Sequence, residues 1–257
     1  MSTGARGGGG GGGGAGGNPV PGLGTPRLHL RVTDSTNNRA RELAAAGAPH
    51  GTLVTASEQT AGRGRQGRGW AAPPGRALLC SMVIRGPGAL LSLAAGVAVA
   101  EVVGPDALVK WPNDVLLAGR KVAGILVEGR PQDGWAVVGV GVNVAVRHTD
   151  FPPELRDTAG TLGLGPEAIE PTLSRLLDEL GRWLPASAEA VLEAIRRRDA
   201  LRGQTVTWTG GRGRAIGIDD RGRLLLDTDD GRRALDSGEV HLLAHRGAEP
   251  ARQLQGD

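Results

Sequence analysis

The sequence predicts an α/β (α+β) main domain followed by a small C-terminal β-barrel, and two patterns support this. Strand-length apolar runs and helix-length apolar patterns share residues 28–201, which predicts a domain that combines a sheet with helices. After Gly203, short apolar runs recur between glycine- and aspartate-rich turns, a pattern typical of a small barrel.

The first half of the main domain is expected to contain two helices among three strands. An apolar stripe of Ala40, Leu43 and Ala44 predicts a helix whose first turn is capped by side chains of residues 34–36. A longer apolar segment, residues 90–103, predicts a buried helix. The strands around these helices are predicted at residues 28–32, 51–57 and 76–85.

The second half of the main domain is expected to contain four strands and then two helices. The strands are predicted at residues 107–111, 115–117, 122–128 and 135–144, and the helices at residues 172–184 and 188–201. Short turns join the last three of these strands, which predicts an antiparallel meander. The barrel strands are predicted at residues 205–208, 213–218, 224–226, 233–235 and 240–243.

Composition and apolar pattern divide the chain into four parts. Residues 1–24 are dominated by glycine, which loses more backbone entropy on ordering than any other residue, so a disordered tail is expected there. Residues 25–202 are assigned to the main domain and residues 203–246 to the barrel. Residues 247–257 are expected to form a loose tail.

Composition limits the class of protein. The single cysteine, Cys80, excludes an intrachain disulfide and a metal site built from cysteines alone. Its apolar neighbours predict a buried strand position. No apolar run reaches the roughly 18 residues needed to span a membrane, and no basic-then-apolar leader is present, so a cytoplasmic protein is expected.

The most informative segment is the glycine/arginine loop, Gly62 to Trp70, which reads Gly-Arg-Gly-Arg-Gln-Gly-Arg-Gly-Trp. Glycine lets successive backbone N–H groups approach an anion closely, and arginine adds planar donors suited to phosphate or carboxylate. The segment therefore predicts a loop that closes over an anionic small molecule. The same composition also occurs in disordered nucleic-acid-binding tails, so a nucleic-acid-binding module remains an alternative.

Further motifs flank this loop in a fixed order. They are Asp34-Ser35-Thr36-Asn37, Ser57-Glu58-Gln59-Thr60-Ala61, Lys110-Trp111-Pro112-Asn113-Asp114, Gly119 to Glu128 and Gly139-Val140-Gly141-Val142-Asn143. Together with the loop, this ordered set resembles the biotin protein ligases. We expect the monofunctional type without an N-terminal DNA-binding domain, because the residues before Leu28 leave no room for one.

The resemblance implies a catalytic domain with the mixed sheet of biotin and lipoate ligases, followed by a small C-terminal β-barrel. It implies an enzyme that uses ATP and Mg²⁺ to activate biotin as biotinyl-5′-AMP. The biotin then passes to a lysine of a biotin carboxyl carrier protein or domain. Neither DNA nor a membrane is an expected partner. Homodimer formation and the protein ligands of Mg²⁺ stay open, since neither Asp114 nor Glu128 can be assigned to the metal.

The resemblance also assigns roles to individual residues. The residues expected to bind biotin are Ser35, Thr36, Asn37, Gln59, Arg63, Gly64, Arg65 and Lys110. Those expected to face the nucleotide are Arg63, Arg65, Arg68, Trp70 and Asn143. Lys110 and Arg65 are the expected catalytic residues, because the biotin carboxylate and the α-phosphate are both anions whose repulsion fixed cations must cancel. Trp70 and Trp111 could stack on a ligand or belong to the core.

Two features qualify this assignment. A lipoate- or octanoate-attaching ligase of the same superfamily would share the fold and the lysine, although the loop and the Lys-Trp-Pro-Asn-Asp string favour biotin. Gln66 and Gly69 stand where many relatives carry a basic residue, which makes the loop less cationic. In contrast, the chain retains only two lysines, Lys110 and Lys121, among many arginines, which indicates that a compact ammonium is needed at these positions.

Overall fold

The computed structural model describes residues 22–242. The helices are α1 (Thr36–Ala45), α2 (Leu91–Val103), α3 (Ile169–Trp183) and α4 (Ala188–Arg197). The strands of the main domain are β1 (Arg27–Leu30), β2 (Leu53–Ala56), β3 (Leu78–Arg85), β4 (Leu108–Lys110), β5 (Asp114–Leu117), β6 (Arg120–Arg130) and β7 (Trp135–Val142). Those that follow are β8 (Thr205–Trp208), β9 (Gly211–Ile218), β10 (Leu224–Thr228), β11 (Gly231–Leu235) and β12 (His241–Leu242).

The main sheet has seven strands in the order β1-β2-β3-β7-β6-β5-β4. Strands β1 and β2 run parallel, and every other neighbouring pair runs antiparallel, so the expected mixed sheet is confirmed. The predicted meander is also confirmed, because β5, β6 and β7 are consecutive antiparallel neighbours. Strand β3 lies inside the sheet, between β2 and β7, and is buried on both faces, which explains its continuous apolar sequence.

Helices cover both faces of this sheet. On one face, Ala40 and Ala44 of α1 pack with Val54, Val83 and Val137. On the other face, α2 is buried by the sheet and by α3 and α4, which explains why this helix is apolar on nearly all sides. Alternate residues of β3 therefore enter two separate clusters, in keeping with the two-residue period of a strand.

The strands predicted after Gly203 are present and form an antiparallel sheet in the order β11-β10-β9-β8-β12, while closure of this sheet into a barrel stays a prediction. Within residues 22–242, β11 and β12 are the two edge strands of this sheet. Leu224 and Leu226 of β10 belong to the same apolar core as α2 and the main sheet. The Trp111 indole N–H also donates to the Gly222 carbonyl at 2.9 Å, so the two sheets are joined by packing and by a hydrogen bond.

Several predicted boundaries differ from the observed ones. Helix α4 ends at Arg197 instead of Leu201, because the chain there pairs with the edge strand β4: the Ala200 N–H donates to the Val109 carbonyl at 3.0 Å. Residues 23 and 24, which the sequence assigned to the tail, also belong to the fold. Leu23 packs on the core, and the Gly24 N–H donates to the Gly51 carbonyl.

Three predicted segments lie partly or wholly outside the described residues: the tail 1–24 up to residue 21, the strand end at 243, and the tail 247–257. In the described part of the chain, no helix is both long and apolar enough to cross a membrane.

Candidate active site

A cavity opens where four segments meet: the start of α1, the glycine/arginine loop, the turn between β4 and β5, and residues 238–240 before β12. Its floor is the middle of the main sheet, where glycines leave room for side chains to lie on the strands. At Gly141, an added Cβ would fall 2.5 Å from the Trp70 ring, so glycine is needed for Trp70 to lie against β7. The sheet therefore provides a shallow floor, and the loop covers it.

The start of α1 presents polar groups to this cavity. Ser35 occupies the N-cap position in an extended conformation, but its hydroxyl makes no capping hydrogen bond. The Thr36 N–H is instead satisfied by Gln59 Oε1 at 2.7 Å, and the Thr36 hydroxyl reaches the same oxygen at 3.0 Å. Because Gln59 takes over the capping role, the Ser35 hydroxyl stays available to a ligand.

A buried hydroxyl beneath the floor orders these residues. Ser81, on β3, is fully buried, and its Oγ lies 2.8 Å from Thr36 Oγ1 and 2.6 Å from Asn37 Oδ1. Asn37 Nδ2 in turn donates to Glu128 Oε2 at 2.9 Å. Sequence reasoning missed Ser81, because a serine in an apolar strand carries no local signal of its position under a ligand site.

The first arm of the glycine/arginine loop is anchored to the main domain. Arg63 donates to Asn38 Oδ1 at 2.9 Å and to Glu128 Oε1 at 2.8 Å. The neck of the loop is closed where the Trp70 N–H donates to the Gly62 carbonyl, and an added Cβ at Gly62 would lie 2.2 Å from the Trp70 carbonyl oxygen. Two side-chain hydrogen bonds and the closed neck thus hold Arg63 in place.

The tip and second arm of the loop use different partners. Arg65 is half-buried and donates to Asn113 Oδ1 at 3.1 Å. Arg68 forms an ion pair with Glu239. Between them, the Gly64 N–H donates to the Arg68 carbonyl at 2.7 Å. Neither Asn113 nor Glu239 was singled out as a partner, because both contacts join segments that are distant in sequence.

Cationic groups concentrate at the turn between β4 and β5. Lys121 pairs with Asp114 at 2.7 Å, and its ammonium lies 5.7 Å from the centre of the Trp70 ring. Lys110 lines the cavity, and among the described residues its ammonium has no ion-pair partner. Burial lowers the pKa of Lys110 and that of Arg65, and the Asp114 carboxylate opposes both shifts. This lysine therefore carries a partly desolvated charge that is directed to the cavity and not neutralised by a direct contact.

The two tryptophans that could have stacked on a ligand have different positions. Trp111 is 2% exposed, and its indole N–H is bound to the Gly222 carbonyl, so it belongs mainly to the core. Trp70 lines the cavity between Gly141 and the Lys121 side chain. Both tryptophans line the cavity, and Trp70 is the less buried of the two.

Ten of the eleven residues proposed for the site line this cavity: Ser35, Thr36, Asn37, Gln59, Arg63, Gly64, Arg65, Arg68, Trp70 and Lys110. The exception is Asn143. Its Nδ2 donates to the Gly160 carbonyl at 2.8 Å, and its side chain is buried beside the segment that follows β7. This amide holds Gly160 beside the sheet, while Asn143 Oδ1 has no hydrogen-bond partner among the described residues. That Asn143 faces the nucleotide therefore stays a prediction.

Sequence and structure comparisons show which proteins this chain is similar to. Residues 29–144 match the model of the biotin/lipoate A/B protein ligase family, and residues 202–243 match the biotin protein ligase C-terminal domain. The bifunctional ligase/repressor BirA of Bacillus subtilis is 34% identical over 244 residues, which cover 86% of this chain and 75% of the relative.

The chain belongs to the biotin protein ligase family.

Two further matches support this membership of the biotin protein ligase family. The biotin–[acetyl-CoA-carboxylase] ligase of Mycobacterium tuberculosis is 38% identical over 234 residues, which cover 81% of this chain and 85% of that enzyme. The biotin protein ligase of Aquifex aeolicus, solved in complex with biotin and ATP, superposes with a TM-score of 0.71 at 30% identity. That match covers 85% of this chain and 99% of the Aquifex chain.

Carboxylates near the cavity of this family member are already engaged. Asp114 pairs with Lys121, and Glu128 accepts from Arg63 and Asn37. Within residues 22–242, no group of three histidine, cysteine, aspartate or glutamate side chains could hold a metal ion. The described residues therefore do not form a metal cage of their own.

Proposed function

We propose that this protein joins biotin to ATP and then transfers the biotinyl group to a lysine of a biotin carboxyl carrier protein or domain. In the first step, a carboxylate oxygen of biotin attacks the α-phosphorus of ATP. The bond to the β-phosphate oxygen breaks, and biotinyl-5′-AMP and pyrophosphate form. The family membership supports the reaction. The structural observation that carries it is the Lys110 ammonium, which lines the cavity and has no ion-pair partner within residues 22–242.

Lys110 addresses the main obstacle to this step, which is repulsion between two anions. A compact ammonium in a partly desolvated site stabilises negative charge that develops as the carboxylate approaches the phosphate. Arg65, half-buried beside it, adds planar donors to the same region. Because Asn113 holds the Arg65 guanidinium in place, little reorganisation of this side chain is needed during the reaction.

The polar floor suits the ureido ring of biotin, which has one carbonyl and two N–H groups. The Ser35 hydroxyl is not used in capping, and Gln59 accepts through Oε1, which leaves its amide N–H groups to serve the ligand. An octanoyl chain or the ring of lipoate would leave these groups unsatisfied, which costs free energy in a buried site. The floor therefore favours biotin over the lipoate or octanoate alternative.

The second step needs only the amine of the partner. A neutral lysine amine attacks the carbonyl of the mixed anhydride, the bond to the phosphate oxygen breaks, and AMP leaves. The one thiol of the chain, Cys80, is buried, and burial raises its pKa to about 12. It stays protonated at neutral pH, so a biotinyl-thioester intermediate on the protein is not part of this proposal.

Magnesium would enter with the nucleotide. The carboxylates beside the cavity are paired with cations or amides, and Mg²⁺ binds readily through phosphate oxygens while it keeps several waters. We infer that the phosphates of ATP, and no dedicated set of side chains, hold the ion. The nucleic-acid alternative is disfavoured, because Arg63, Arg65 and Arg68 are each engaged within the protein.

The decisive experiment incubates the protein with biotin, ATP, Mg²⁺ and an isolated biotin carrier domain, and then measures the mass of the carrier. The expected product carries one biotinyl group on one lysine. Matched reactions contain lipoate or octanoate in place of biotin. Modification of the carrier by octanoate but not by biotin would refute the proposal, and so would the absence of modification together with an absence of biotin binding.

A further inference from the structure

Glu128 on β6 lies at the junction of the glycine/arginine loop, α1 and the cavity floor. Its Oε1 accepts from Arg63 Nη2 at 2.8 Å, and its Oε2 accepts from Asn37 Nδ2 at 2.9 Å. The carboxylate is 19% exposed, so solvent screens these contacts less than it screens a surface ion pair. One side chain thus joins the loop to the floor.

On the floor, Glu128 decides how Asn37 is oriented. A carboxylate only accepts hydrogen bonds, so the Asn37 amide must turn its NH₂ group to Glu128 and its oxygen to the Ser81 hydroxyl at 2.6 Å. Gly139 makes this position accessible, since an added Cβ would lie 2.0 Å from Asn37 Oδ1. Asn37 is 4% exposed, so water cannot readily replace these partners.

In the loop, Glu128 holds the first arm. Arg63 pairs through its backbone with Gly69 across the neck of the loop, and its guanidinium spans from Asn38 to Glu128. Release of the guanidinium would free this arm from the main sheet. The neck would then be held only by local backbone contacts, in a segment whose glycines make ordering costly.

We propose that Glu128 is a positioning residue that couples closure of the glycine/arginine loop to the orientation of the biotin-binding floor. The inference rests on the proposed function. Glu128 acts through Arg63 and Asn37, both of which line the cavity, and makes no contact with the reacting atoms. With Glu128 in place, loop and floor are preorganised; without it, biotin must order both on binding.

Glu128→Gln tests this directly. The amide keeps the shape of the side chain, but it offers one oxygen and one NH₂ group, so only one of the two donors can be served. The Kd for biotin, measured by calorimetry, should rise on the order of tenfold, as expected for the loss of one hydrogen bond to a charged group. Trypsin should cut the free protein faster after Arg63 or Arg65. The rate of pyrophosphate release at saturating biotin and ATP should change by less than about twofold, because Lys110 and Arg65 are retained.

Arg41→Ala provides the matched control. Arg41 lies 3.8 Å from the same Glu128 oxygen, beyond hydrogen-bond distance. Its removal therefore deletes one positive charge near the carboxylate and leaves both hydrogen bonds of the carboxylate intact. Its Kd for biotin should stay near the wild-type value. The double variant Arg63→Ala, Glu128→Gln should bind biotin no more weakly than the single variant with the higher Kd. The two effects should not add, because the two residues act as one unit.

A wild-type Kd and wild-type cleavage rate in Glu128→Gln would overturn the inference. So would a variant whose only change is a lower Tm, since that marks a structural role alone. Failure of the wild-type protein to bind biotin would instead refute the proposed function. In that case, loop cleavage in Glu128→Gln would still test the link between Glu128 and the loop.

Discussion

Arg68 in the glycine/arginine loop is paired with Glu239, in the segment that leads into β12. Glu239 also lines the cavity, together with Gly238 and Val240. The second arm of the loop is therefore held by the C-terminal sheet, while Glu128 of the main sheet holds the first arm through Arg63. The cover of the cavity is built by both sheets together.

Glu239→Gln should loosen the second arm of the loop without unfolding the protein. Arg68 is about half exposed, so the ion pair contributes no more than about 1 kcal/mol to stability, and Tm should change little. Cleavage by trypsin after Arg68 should become about two- to fivefold faster, which corresponds to a free-energy change of that size. Glu179→Gln, which disrupts a surface pair on α3, is the control. Equal cleavage in wild type and Glu239→Gln would show that the pair does not hold the loop.

Lys110→Ala should slow formation of biotinyl-5′-AMP by at least about ten- to a hundredfold, because two anions would then face each other without the ammonium. Stability should be almost unchanged, since the group points to the cavity. Lys110→Arg should restore little, because the guanidinium is wider. Pyrophosphate release, measured apart from transfer of preformed adenylate, locates the defect. A normal rate of adenylate formation in the alanine variant would remove Lys110 from the mechanism.

Asp34 should make stability depend on pH in the acid range. Hydrogen bonds from the Asn38 amide and from the Ser35 backbone lower the pKa of Asp34 from 3.8 to about 2. The stabilisation is therefore complete above pH 3.8 and is lost as pH falls through about 2. Asp34→Asn should lower the free energy of unfolding by less than about 1 kcal/mol at pH 7, since the carboxylate is partly exposed. Urea unfolding at several pH values should find that this difference shrinks toward pH 2; a difference independent of pH would contradict the assignment.

Gly141→Ala should displace Trp70, because the new methyl group would fall 2.5 Å from the indole ring. Overpacking of this kind costs about 1–3 kcal/mol, and much of that cost should appear as movement of the ring and the loop. Biotin affinity should fall while the circular dichroism spectrum is kept. Gly96→Ala in α2 is the control: its methyl group would lie 3.6 Å from Val109, so it should stabilise the helix by about 0.4–1 kcal/mol. Unchanged biotin binding in Gly141→Ala would show that the position of Trp70 is unimportant.

Elements with a strong apolar period could be predicted from the sequence, and their ends could not. The stripe of Ala40 and Ala44 and the apolar run of α2 located two helices close to their observed bounds. At α4, the pattern continued past Arg197, but pairing of Ala200 with Val109 draws the chain into an extended conformation. This competition depends on an edge strand some ninety residues earlier, which no local pattern includes.

The site residues could likewise be predicted where a local motif contains them, and their partners from distant segments could not. Residues within the motifs reached the cavity because the motifs are turns and strand ends that the main sheet brings together. Their partners came from elsewhere in the chain: Ser81 lies on β3, and Glu239 lies between β11 and β12. The contact of the Asn143 amide with Gly160 likewise could not be predicted, since its place in a motif says nothing about a partner seventeen residues later.

Both lysines of this chain, Lys110 and Lys121, line the same cavity. Every side-chain amine of the protein therefore lies within its active site. Apart from the α-amine of the chain, a reagent that acylates amines would label only that site, and occupancy by a ligand could be followed by protection of the two lysines from labelling. The lowered pKa of Lys110 favours this use, because it enlarges the fraction of free amine near neutral pH.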